Sequence, residues 1–104
     1  MSALISNEFF GSVSPMSISV EKQGDDVFNV TVSGNTTTRH KVTVTDDVHR
    51  DLTDSRVTKE SLLEFSFKFL LDREPNTSIL SSFEIIVISR YFPDYKDEVK
   101  RWCD

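Results

Sequence analysis

At 104 residues the chain has room for one domain and one modest hydrophobic core. Its 17 acidic residues outnumber 12 basic ones in both halves, giving a net charge of −5. No basic stripe can be drawn to follow phosphates, so direct nucleic-acid binding is not expected.

The single cysteine, Cys103, leaves no partner for an internal disulfide and no cysteine zinc site. The N-terminal stretch MSALISNEFF lacks a basic start, and Asn7 and Glu8 interrupt its apolar residues, so it reads poorly as a signal peptide. No apolar run approaches the roughly 20 residues needed to span a bilayer. The expectation is a soluble, cytoplasmic protein with an N-terminal arm over residues 1–14 and one domain over 15–104. For the arm two readings stand. It is loosely attached, as termini commonly are, or Phe9 and Phe10 dock it on the body or on another subunit.

From residue 17 the apolar period is two. Ile18 and Val20, then Phe28, Val30 and Val32, then Val42 and Val44 each fall on one side of an extended segment, with Ser, Thr, Asn and Lys between them. That is the pattern of half-buried antiparallel strands. Gln23-Gly24-Asp25-Asp26 and Gly34-Asn35 supply the turns. Three strands with one oily face need a cover. A helical turn is expected around Asp47 to Leu52.

The segment TKESLLEFSFKFLLDR predicts the covering helix, capped by Thr58, with Val57 and Leu62 spaced for a hydrophobic staple. Ser61, Glu64, Lys68 and Asp72 share a narrow arc, and seven Leu and Phe residues fill most of the remainder. An apolar face this wide requires neighbours on more than one side. Pro75 marks the end of the helix. Asn76, Thr77 and Ser78 are each able to cap a new helical turn over ILSSF. In EIIVISRYF four β-branched residues favour a strand, but Ile85, Ile88 and Phe92 make one face only as a helix, and helix is the assignment. Pro93 and Asp94 suit the first turn of a last helix. The fold class expected is α+β: a three-stranded antiparallel sheet covered on one face by a long helix and a C-terminal helical segment.

Few constellations could carry chemistry. Asp46, Asp47, His49 and Asp51 are the only residues with the composition of a metal site, but their spacing matches no known loop, and Asp46 or Asp47 serves equally as a helix cap. No Gly-x-Ser-x-Gly elbow occurs, three glycines build no phosphate cradle, and Cys103 lies far in sequence from His40 and His49. A non-enzyme without cofactor is expected. Around Pro75 and Pro93, Phe65, Phe69, Leu70, Ile79, Leu80 and Phe83 read as core. Arg73, Glu74, Arg90, Tyr91 and Tyr95 form the candidate site. They build either a structural corner, with Arg73 on the last helical carbonyls and Glu74 paired to Arg90, or a docking patch of the residue types favoured at binding hot spots.

Residues FSFKFLLDREPNTSIL and RYFPDY resemble a family of small, uncharacterised bacterial proteins with an FxFLLxREPxxSIL…RYFPxY motif. The likeness runs over roughly residues 17–99, including the strand Thr38-Arg39-His40-Lys41-Val42-Thr43-Val44. It departs at Glu84–Val87, where such a family would have an Asp-Leu-Pro-Val-like helix start. The resemblance implies strands followed by the motif helix, and no activity. Function is expected to be a protein-interaction module with a protein partner, neither membrane nor nucleic acid. The alternative is a small acidic inhibitor or nucleic-acid mimic acting on a nucleic-acid-binding protein, such as a mobile element would carry. A small metal-dependent enzyme, resting on the Asp46–Asp51 cluster, comes third.

Overall fold

A computed structural model describes residues 17–34 and 36–103. The expected N-terminal arm lies outside the described residues. Strands β1 (Ser17–Lys22), β2 (Val27–Ser33) and β3 (Thr38–Thr43) pair antiparallel in sequence order. Residues directly opposite in an antiparallel register share a face, so the register decides what the sheet buries. Ile18 faces Val32, Val20 faces Val30, Phe28 faces Val42 and Val30 faces His40. These side chains form the inner layer. Ser19, Thr31 and Arg39 lie across the outer one.

After β3 come helix α1 (Asp46–Thr53), helix α2 (Lys59–Leu71), a 3₁₀ turn at Asn76–Ser78 and a fourth strand, β4 (Ser82–Glu84). β4 runs parallel to β3, with Phe83 beside Val42. The sheet is therefore mixed and four-stranded, ordered β1-β2-β3-β4, where the sequence predicts three antiparallel strands. Three residues with one inward side chain carry no alternation to read, and their pairing joins segments far apart in the chain. The helical turn expected over ILSSF is likewise corrected. Helical geometry covers only Asn76–Ser78, Pro75 stands at its start without a side-chain cap, and the chain is extended again by Ser82.

The ambiguous EIIVISRYF is helical after Glu84. A 3₁₀ turn at Ile85–Val87, which buries Ile85, continues into helix α3 (Ile88–Tyr91), which buries Ile88. Helix α4 (Tyr95–Cys103) follows. Among the described residues no helix is long and apolar enough to cross a membrane.

The two principal caps are threonines. Thr58 Oγ1 accepts from the Ser61 amide at 3.1 Å, as its position predicts. Thr45 Oγ1 accepts from the Val48 amide at 3.3 Å, so Thr45, and neither Asp46 nor Asp47, caps α1. The two aspartates occupy the first turn, where the helix dipole favours negative charge.

The wide apolar face of α2 is covered from two sides. Phe67 packs toward the sheet, 5.3 Å from the His40 ring and 6.2 Å from Phe83. On another side, Phe65 stacks on Trp102 at 4.6 Å, and Phe69 meets Tyr95 edge-on at 5.3 Å and Phe92 at 5.8 Å. The α+β core thus lies between the sheet and α4, with α2 through its middle.

Candidate protein-docking groove

The end of α2 sets one wall. The amides of Arg73 and Glu74 both donate to the Leu70 carbonyl at 2.9 Å, and Pro75 then carries the chain into the 3₁₀ turn. That turn is pinned to the sheet by buried polar side chains. Asn76 Nδ2 donates to the Thr36 carbonyl at 2.7 Å and to Thr38 Oγ1 at 3.0 Å. His40 Nδ1 lies 2.7 Å from the Leu80 carbonyl, which only accepts, so this nitrogen carries hydrogen and donates. In the neutral ring Nε2 then accepts from the Thr38 hydroxyl, 2.8 Å away. The chain Asn76–Thr38–His40–Leu80 satisfies every member and holds residues 76–80 against β3.

Because its backbone is held inward, Leu80 turns its side chain out and is 48 % exposed. It is not the core residue that the sequence suggests. Across from it, the 3₁₀ turn at Ile85–Val87 buries Ile85 and α3 buries Ile88, and Val87 of the turn and Tyr91 of α3 reach the cleft. Between them lies a cleft of about 330 Å³. Leu70, Ile79, Phe83 and Ile88 line it, Leu80, Val87 and Phe92 add further apolar residues, and Glu74, Ser78 and Tyr91 complete the lining. Tyr91 is 67 % exposed. Among the described residues Glu74 is the only charged one of the lining, and it forms no ion pair with another described residue.

The five sequence candidates separate. Glu74 and Tyr91 line the groove. Arg73 is a clamp: it donates to the Phe69 carbonyl at 3.1 Å, pairs with Asp94 at 3.0 Å, and lies 3.6 Å over the Phe69 ring. It satisfies a late carbonyl of α2, as expected, and ties that helix to the start of α4. Arg90 is exposed on α3, outside the lining, and the expected Glu74–Arg90 pair is not formed. Tyr95 is fully buried, and its hydroxyl meets Ser66 Oγ at 2.6 Å. It belongs to the core and not to a surface patch, because α4 begins at Tyr95 and turns that residue onto α2. Burial pushes its phenol pKa up.

The acidic cluster around α1 is engaged elsewhere. Lys59 Nζ bridges Asp46 at 2.7 Å and Asp26 at 3.1 Å, joining α1 and the β1–β2 hairpin to the start of α2. Asp47 pairs with Arg50 at 2.9 Å, and His49 Nε2 contacts the Val57 carbonyl at 2.6 Å. Burial pulls the Lys59 pKa down, but hydrogen bonds and charge from the two aspartates outweigh it and leave the ammonium raised. The same contact lowers Asp46. Among the described residues no three His, Cys, Asp or Glu side chains gather to hold a metal ion.

The residues missed by sequence reasoning carried two signals. Tyr95, Val99 and Cys103 recur every four positions, the stripe of a helix face turned inward. His40 stands in phase with Val42 and Val44, which places it on the buried side of β3. The groove itself has no local signal, since three separate segments build it. Comparisons of the chain with models of known protein families, with curated proteins and with solved structures return no match.

Proposed function

We infer that the protein is a non-catalytic interaction module and that the groove between residues 76–83 and α3 is where it holds a protein partner. The observation that carries this reading is an apolar cleft of about 330 Å³ edged by two large exposed side chains, Leu80 and Tyr91. Pockets that take a ligand or an anchoring side chain are concave and mostly apolar, with a few polar groups at fixed places. Tyrosine is also a residue type enriched where binding energy concentrates. Among the described residues, those of the lining carry one carboxylate and two hydroxyls, with no imidazole, thiol or second carboxylate beside them. That composition suits holding better than proton transfer. An acidic mimic of nucleic acid draws less support, because Asp26, Asp46, Asp47, Asp94 and Glu98 are engaged by the chain's own cations.

The test is a binary one. A protein captured on the tagged chain is purified and titrated against the parent and against Leu80→Glu, Tyr91→Ala and Val87→Trp. Loss of at least tenfold in affinity for these variants, with unchanged melts, supports the groove. Equal affinity for all three contradicts it.

A further inference from the structure

The groove's chemistry narrows its occupant, and this inference rests on the docking reading above. The walls bury large aliphatic or aromatic side chains favourably. At about 330 Å³ the cleft sits at the small end of the roughly 300–1,000 Å³ range of ligand pockets, which suits one or two such anchors. Among the described residues of the lining the one charged side chain is that of Glu74, a half-buried residue without an ion-pair partner among the described residues. Beside a low-dielectric wall a carboxylate gains more from a cation than it does in open water. Tyr91 exposes a ring whose face attracts an ammonium or guanidinium. Neither neighbouring arginine fills this place. Arg73 is held by Asp94 and the Phe69 ring, and Arg90 lies outside the lining. A net charge of −5 adds longer-range attraction for a basic partner.

We propose that the groove takes a short segment of a partner protein in which one or two large apolar residues stand beside a lysine or arginine, the apolar side chains filling the cleft and the cation meeting Glu74 and the Tyr91 ring. Residues 1–16 of this chain offer Leu4, Ile5, Phe9 and Phe10 but no lysine or arginine. A second copy carries the same negative charge.

The probes are short random peptides displayed on phage and selected on the immobilised full chain, the best of them synthesised and titrated by calorimetry. The expected peptides share a large apolar residue next to Lys or Arg, and their binding weakens with salt. Glu74→Gln weakens it about fivefold, and Leu80→Glu, at a half-exposed position, by tenfold or more. Glu74→Lys paired with a peptide whose lysine is exchanged for glutamate recovers affinity. Peptides lacking Lys and Arg, or binding that survives Glu74→Gln while Leu80→Glu removes it, overturn the cation and leave the docking reading standing. Peptides indifferent to both Leu80→Glu and Val87→Trp, or no peptides at all, overturn both. A Phe9→Ser/Phe10→Ser chain that gains binding absent from the parent assigns the groove to the chain's own N-terminus, and a dimer split by Leu80→Glu assigns it to a second copy. Either result overturns the proposal.

Discussion

The hydroxyls of Tyr95 and Ser66 meet at 2.6 Å in the interior, and the direction of their hydrogen bond is determined by a third atom. Ser66 Oγ also lies 2.7 Å from the Leu62 carbonyl, which can only accept. The serine spends its hydrogen there, so Tyr95 donates to Ser66. An ionised Tyr95 would have nothing to donate and no donor facing it.

A pH dependence follows at the alkaline end. The folded pKa of Tyr95 is raised above its ordinary value of 10.0, so the contribution is fully present below that value and is lost as pH rises toward the folded one. Above pH 10 the parent should lose roughly 1.4 kcal/mol per pH unit more than Tyr95→Phe does. Urea melts at a series of pH values check this, and parallel slopes for the two chains would contradict it. At the acid end Asp46 behaves oppositely. Its lowered pKa gives stability present above the ordinary carboxylate value of 3.8 and lost as pH falls through the lowered one, a slope that Asp46→Asn should flatten.

Phe69 joins α2 to both Tyr95 and Phe92 and lies under the Arg73 guanidinium. Phe69→Ala is expected to cost about 3–5 kcal/mol. In a domain stable by roughly 5–15 kcal/mol this removes a large fraction. A loss below about 1 kcal/mol with an unchanged denaturant slope would mean that Phe69 does not hold α4 to α2.

The polar chain from Asn76 to Leu80 should behave as one unit. Asn76→Ala and Thr38→Val each strip a buried partner and should cost about 1–3 kcal/mol. Together they should cost less than the sum of the two, by about 0.5 kcal/mol or more, since the second change breaks a chain already broken. Additive losses in thermal or urea melts would show that the two contacts act independently.

Arg90, Tyr91 and Tyr95 should part company under mutation. Arg90→Ala and Tyr91→Ala change exposed side chains and should leave stability within about 1 kcal/mol. Tyr95→Ala opens a cavity under α2 and should cost about 3–5 kcal/mol. Similar melts for all three would place Tyr95 at the surface, against the contacts described here.

How far each element was legible depended on how local its physics is. The alternation around Val30 and Val42, the Thr58 cap and the wide apolar face of α2 are properties of neighbouring residues, and each is found where its pattern puts it. The β3–β4 pairing is not local. Lys41 N–H reaches the Ser81 carbonyl only once α2 has crossed the sheet, and nothing within Ser82–Glu84 announces it. The site was half legible. Glu74 and Tyr91 lie in the groove, but reading RYFPDY as one surface ignored that α4 starts at Tyr95 and rotates it inward, away from Tyr91. Leu80 misled in the opposite sense, because the His40 contact that holds its carbonyl in, and so turns its side chain out, comes from another strand.

The claim that the groove of Glu74, Leu80 and Tyr91 is the docking surface is tested most directly by an amide chemical-shift titration. The ¹⁵N-labelled full chain is titrated with the tightest selected peptide, and the perturbed residues are mapped. The account predicts that the largest changes fall on Glu74, Ser78–Phe83 and Val87–Phe92, while the outer sheet face at Ser19, Thr31 and Arg39 stays still. Saturable changes confined to that outer face or to the β1 edge, with residues 78–92 unmoved, would contradict it.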